Sequence, residues 1–66
     1  MRLRVNGEEH QHAGGGTVQE LLAEIGAEGN RVAVMVNDAI VPKAEFGRVR
    51  LREGDRVEVL AFMGGG

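Results

Sequence analysis

Only one stretch of the chain carries helical periodicity, and it is too short to stand by itself. Val18, Leu21, Leu22 and Ile25 fall at helical spacing and make one apolar stripe. Isolated helices shorter than about 12–15 residues are marginal in water, so this one must dock on another element. Thr17-Val18-Gln19-Glu20, at its start, reads as a capping box. In that arrangement the Thr17 hydroxyl accepts from the N–H of Glu20, and the Glu20 carboxylate reaches back to the N–H of Thr17. Gly26 suits the left-handed turn that ends such a helix. One amphipathic helix is covered by one face of one sheet, which sets the fold class as α+β.

The flanking segments supply that sheet. Met1, Leu3 and Val5 alternate with Arg2 and Arg4, the period-two pattern of a strand with one buried face. Asn6-Gly7 reads as a hairpin turn, and the return strand is expected from Glu8 to about Ala13, where Gly14-Gly15-Gly16 breaks it. Val32 to Val36 is apolar at every position, as in an interior strand. Asn37-Asp38 turns the chain into Ile40-Val41, and Pro42 opens an irregular connection over Lys43 to Gly47. Val49 and Leu51 then point one way while Arg48, Arg50 and Arg52 point the other, as on a strand with a solvent face. After a turn at Glu53-Gly54-Asp55, Val57, Val59 and Ala61 alternate with Glu58, Leu60 and Phe62 in the last strand. The first and last strands have the cleanest alternation and are expected side by side at the centre, running parallel. The pattern predicts a β-grasp: a mixed sheet of four to five strands packed on one main helix over residues 1–63, with a flexible glycine tail at 64–66. In its core Leu21, Leu22 and Ile25 should meet Leu3, Val5, Val32 or Val34, Val57 and Val59.

Composition removes most functions. With 66 residues and no cysteine, neither disulfides nor a zinc-thiolate site can support a thin core, and apolar packing must hold it. The formal charge of −2 and the presence of only two aromatic residues, Phe46 and Phe62, argue against a nucleic-acid module. No segment approaches the roughly 20 apolar residues of a membrane span, and the N-terminus lacks the apolar run of a signal peptide. The expected location is cytoplasmic. Conventional nucleophiles are reduced to Thr17 and Lys43, since Ser, Cys and Tyr are absent. The expectation is a protein that is not an enzyme, with no catalytic side chain and no bound metal or permanent cofactor.

What remains is Gly64-Gly65-Gly66. Three glycines straight after a strand have no side chains to bury, so the tail should be flexible, reachable and narrow enough to thread a channel in a partner. Its far end, Gly66, offers a carboxylate. A carboxylate is a poor electrophile until oxygen is made a good leaving group, which transfer to the α-phosphate of ATP achieves. The ATP and Mg²⁺ belong to the activating partner. A sulfur nucleophile arriving next would leave a thiocarboxylate; a lysine amine would leave an isopeptide bond.

Other residues are read more plainly. Gly14-Gly15-Gly16-Thr17 lacks the lysine of a phosphate-binding loop and is explained by a turn and the cap. His10 and His12 share a strand face but lack a third ligand, and are expected as solvated surface histidines. Arg48, Arg50 and Arg52 are read as a solvent face and Lys43 as a surface cation. Leu60 and Phe62 lie in the opposite phase to Val57 and Val59. Either they dock on a partner or the segment from Ile40 to Gly47 folds over them.

Three stretches carry a family resemblance: Val36-Asn37-Asp38-Ala39-Ile40-Val41-Pro42, Leu51-Arg52-Glu53-Gly54-Asp55-Arg56-Val57-Glu58-Val59, and Phe62-Met63-Gly64-Gly65-Gly66. Together with Thr17-Val18-Gln19-Glu20-Leu21-Leu22, they resemble the ThiS family of ubiquitin-like sulfur carriers over most of the chain. The resemblance implies adenylation of Gly66 by an E1-like, ThiF-like adenylyltransferase, conversion to a thiocarboxylate with a sulfur donor enzyme, and delivery to a ThiG-like thiazole synthase in thiamine biosynthesis. The related MoaD carriers are usually longer and often carry prolines before the tail, and this chain has neither trait. A carrier for another sulfur metabolite and a ubiquitin-like modifier of protein lysines stay open as alternatives, as does an interaction domain with an inert tail. The free chain is expected to be a monomer.

Overall fold

The computed structural model describes residues 1–13, 15–27 and 31–61. The chain runs through β1 (Arg2–Val5), β2 (Glu8–Gln11), α1 (Val18–Glu24), β3 (Val32–Val36), β4 (Ala39–Val41), a 3₁₀ turn (Lys43–Glu45) and β5 (Arg56–Ala61). Five strands form one sheet in the order β2-β1-β5-β3-β4. The first and last strands are neighbours and parallel, while the other pairs are antiparallel. This is the β-grasp arrangement that the alternation predicts.

Both hairpins turn on residues with positive φ. Asn6 and Gly7 sit at φ 51° and 84°, and Asn37 and Asp38 at 49° and 71°. Two such residues in succession match the twist of the strands they join, and this fixes each register. Val5 faces Glu8 and Leu3 faces His10 in the first hairpin; Val36 faces Ala39 and Met35 faces Ile40 in the second. β2 ends at Gln11, two residues short of the expected Ala13, although the Met1 and His12 main chains still exchange hydrogen bonds at 3.1 and 2.7 Å.

The helix is capped at both ends. The Glu20 N–H reaches Thr17 Oγ1 at 3.2 Å and the Thr17 N–H reaches Glu20 Oε1 at 3.3 Å, completing the capping box. The two preceding donors, Val18 N–H and Gln19 N–H, are taken by the carbonyls of Val49 and Phe46 at 3.1 and 2.9 Å. At the other end Ile25 is the cap and Gly26 adopts φ 79°. Gly26 N–H to Ala23 O and Ala27 N–H to Leu22 O complete a Schellman motif.

Val18, Leu21 and Leu22 bury against Leu3, Val5, Val34 and Val57, with Ile25, Val32 and Val59 packed half-buried around them. Val41, Phe46 and Leu51 complete the core. Phe46 is only 5 % exposed, so the segment after Pro42 folds under the helix N-terminus and not over Leu60. The strand expected at residues 48–52 also needs correction. Leu51 is buried and Arg48, Arg50 and Arg52 are exposed, yet the segment makes a single bridge, Thr17 to Arg50, and no strand. Its main chain is spent on α1 and on the loop before it, with Leu51 N–H donating to Gly16 O at 2.6 Å.

Candidate functional site

The sheet has two unlike faces. Residues in phase with Val34, Val57 and Leu3 lie under α1, and the opposite phase lies on an open face. Arg2, Arg4 and Arg56 hold the β1 side of that face, where the Arg2 guanidinium meets the Glu9 carboxylate at 3.4 Å. The other side is apolar. Ala33 pairs with Leu60, and Met35 lies between Glu58 and Ile40, so Ala33, Met35, Ile40 and Leu60 share one surface. Ile40 is 75 % exposed and Leu60 55 %, the large apolar side chains left most open among the described residues.

Leu60 therefore stands where its phase placed it. Ile40 was not foreseen as part of this surface, although the register offered a signal. A two-residue turn at Asn37-Asp38 sets Val36 opposite Ala39 and hence Met35 opposite Ile40, on the face away from Val34. Phe62, Gly64, Gly65 and Gly66 lie outside the described residues. β5 leads to them from the apolar end of the open face, with Ala61 its last residue.

Away from this face, His12 corrects the expectation of solvated histidines. It is 2 % exposed, and its ring sits between α1 and the loop before α1. His12 Nδ1 lies 2.9 Å from Glu24 Oε1, and His12 Nε2 accepts from the Gly16 N–H at 3.2 Å. A carboxylate only accepts, so the neutral ring that satisfies both contacts carries its proton on Nδ1. His10 Nε2 meets the same Glu24 oxygen at 2.7 Å, and the Ala13 N–H donates to Glu24 Oε2 at 2.9 Å. Hydrogen bonds from the two rings, His10 first, and from Ala13 hold the Glu24 carboxyl at about 2, well below its ordinary 4.5. The cluster resembles a ligand set only in composition. A metal on His12 Nδ1 would compete with the proton that the neutral ring needs there, and no group of three or more His, Cys, Asp or Glu among the described residues is arranged to hold an ion.

The loop before α1 is likewise closed to phosphate. The N–H groups of Gly15 and Thr17 donate to the Glu20 carboxylate, and that of Gly16 donates to His12. The hydrogen bonds from the Thr17 hydroxyl, the Thr17 N–H and the Gly15 N–H lower the Glu20 pKa. An internal carboxylate thus occupies the donors that a phosphate would use. Lys43 lies exposed on the 3₁₀ turn, and Arg50 Nη1 donates to Gly15 O at 3.2 Å, which makes it part of the scaffold.

The ThiS family profile matches residues 3–66. The chain belongs to the ThiS family. The crystal structure of a thiamine biosynthesis protein, ThiS, from Geobacter metallireducens superposes with a TM-score of 0.81 at 36% identity, each chain covered in full. The sulfur carrier protein ThiS of Thermus thermophilus is 44% identical over 52 residues, 79% of this chain and 81% of that one. A thiazole synthase of Paramagnetospirillum magneticum is 44% identical over all 66 residues, but these make up 20% of its length. The chain spans a fifth of that protein and of a second thiazole synthase, from Magnetococcus marinus. Among the described residues no helix is long and apolar enough to cross a membrane.

Proposed function

We propose that this ThiS-family chain is a sulfur carrier for thiazole formation in thiamine biosynthesis, a cosubstrate that undergoes chemistry without catalysing it. Gly66 presents the carboxylate. An E1-like, ThiF-like partner transfers it to the α-phosphate of ATP, giving an acyl-adenylate and pyrophosphate. A hydrosulfide-level nucleophile from a sulfur donor enzyme then attacks the carbonyl carbon; the C–S bond forms, AMP leaves, and a thiocarboxylate remains. A ThiG-like thiazole synthase takes up the sulfur. The two relatives in which a matching domain forms a fifth of a thiazole synthase support that last partner.

The observation that carries the reading is the open face of the sheet. Ile40 and Leu60 with Ala33 and Met35 offer an apolar docking surface bordered by Glu58, with Arg56 and its neighbour Arg4 beyond it. It lies at the root of the segment that ends in the glycines, so a partner held there receives the tail without searching for it. Phe62, two residues beyond Leu60 in the sequence, belongs to the same proposed surface. Gly64 and Gly65 give the tail the slimness to thread the partner's channel.

The test is ATP–pyrophosphate exchange with the cognate activating enzyme. Deleting Gly66 withdraws the acyl group by about 3.3–3.6 Å, as far as reacting atoms can stand apart. Exchange should be lost while the thermal melt is unchanged. Full exchange by the deletion variant would overturn the assignment of the terminal carboxylate.

A further inference from the structure

β5 outlasts its neighbour. The ladder between β1 and β5 ends at Val5 and Val57, yet β5 continues to Ala61. On the β1 side the odd-numbered residues of this region supply the hydrogen-bonding groups: Asp55 O accepts from the Arg4 N–H at 3.0 Å, and Val57 O from the Asn6 N–H at 2.9 Å. The next rung falls at Val59, where the β1 main chain has already turned into the hairpin. There the Asn6 side chain takes over. Its Oδ1 accepts from the Val59 N–H at 2.8 Å, and its Nδ2 donates to Val59 O at 3.2 Å.

A carboxamide carries the same donor and acceptor as a peptide group, so Asn6 extends the ladder by one rung beyond its own strand. Its left-handed backbone, φ 51°, makes the turn. Asparagine is among the few side chains that tolerate that conformation and also hold both groups. At the other end of β5, Asn37 acts similarly: its Oδ1 accepts from the Arg56 N–H at 2.9 Å and its own N–H donates to Arg56 O at 2.8 Å. Asn37 secures the start of the strand, and Asn6 secures the last stretch before the chain leaves the sheet.

We propose that Asn6 is a positioning residue for acyl transfer: by holding both main-chain groups of Val59 it fixes the direction of β5 up to Ala61, the strand residue from which the sequence continues to its reactive end. This rests on the carrier reading. Docking through Ile40 and Leu60 brings the partner to the sheet, while Asn6 sets the direction in which the chain leaves it. Losing Asn6 should lower turnover and leave docking intact.

Asn6→Gly keeps the positive φ and removes both bonds to Val59. Asn6→Asp keeps the acceptor for the Val59 N–H and sets an oxygen against the Val59 carbonyl. In Asn6→Gly, amide hydrogen exchange at Val59 should accelerate more than at Val34 in the core. Adenylation kcat should fall roughly tenfold to a hundredfold, the loss expected of a reacting group displaced by about an ångström, with KM for the carrier little changed. Asn6→Asp should lie between Asn6→Gly and the wild type, and covers the case in which the glycine variant folds poorly. Unchanged protection at Val59 would overturn the proposal, as would a wild-type kcat in Asn6→Gly or a rise confined to KM. A wild-type chain that supports no pyrophosphate exchange would defeat the carrier reading as well, whereas normal exchange by both wild type and Asn6→Gly would defeat this proposal alone.

Discussion

The Glu24 carboxylate gathers His10, His12 and the Ala13 N–H onto one helix position, and that concentration makes it the acid-sensitive point of the fold. Its charged form is favoured in the folded state, since its pKa is lowered from 4.5 to about 2, so the stability it contributes is complete above the ordinary value and is lost as pH falls through that interval. Glu20 shifts the same way through its bonds from Thr17 and Gly15. Thermal melts taken from roughly pH 5 down to about 2 should fall steeply in the wild type and less steeply in Glu24→Gln. Equal slopes would show that the carboxylate is not the responsible group. Half of this cluster was legible in the sequence. The shared strand face of His10 and His12 was readable, but the polar composition of the segment suggested solvent. The Asn6-Gly7 turn places His10 opposite Leu3, which is the face under the helix, and that register was the missed signal. The contact with Glu24, from another element, had no signal of its own.

The helix was the most readable element, because its cap, stripe and terminator are local. Thr17 and Glu20 bond reciprocally, and Gly26 turns left-handed where expected. Thr17→Ala should cost about 1 kcal/mol, the usual loss for an N-cap hydroxyl, measured by urea denaturation. Leu22→Ala should cost about 2–5 kcal/mol, since Leu22 is buried in the core. A loss below about 0.5 kcal/mol would mean that the helix does not depend on this stripe. The segment at residues 42–51 was readable only in part. Its alternation is real, but Phe46 and Val49 spend their carbonyls on the helix N-terminus, so no ladder forms. Periodicity reports which side chains face inward; it says nothing about where the main-chain hydrogen bonds go.

At the scale of the whole molecule, the fold divides labour between a sealed face and an open one. The central pairing of β1 with β5 followed from their alternation, and it puts the last strand in the middle of the sheet, between β1 and β3. Ile40→Asp and Leu60→Asp should weaken binding to the activating enzyme while leaving the melting temperature near that of the wild type, because neither side chain enters the core. Calorimetric titration with that enzyme gives the affinity, and unchanged binding by the double variant would move docking elsewhere. The tail itself was identified from composition and resemblance alone. Its chemistry is tested most directly by the intact mass of the protein after incubation with the activating enzyme, ATP and a sulfur donor. The account predicts one oxygen replaced by one sulfur, located by fragmentation at Gly66 and absent when ATP is withheld. An unchanged mass in the complete mixture, with adenylating enzyme shown to be active on another carrier, would contradict it.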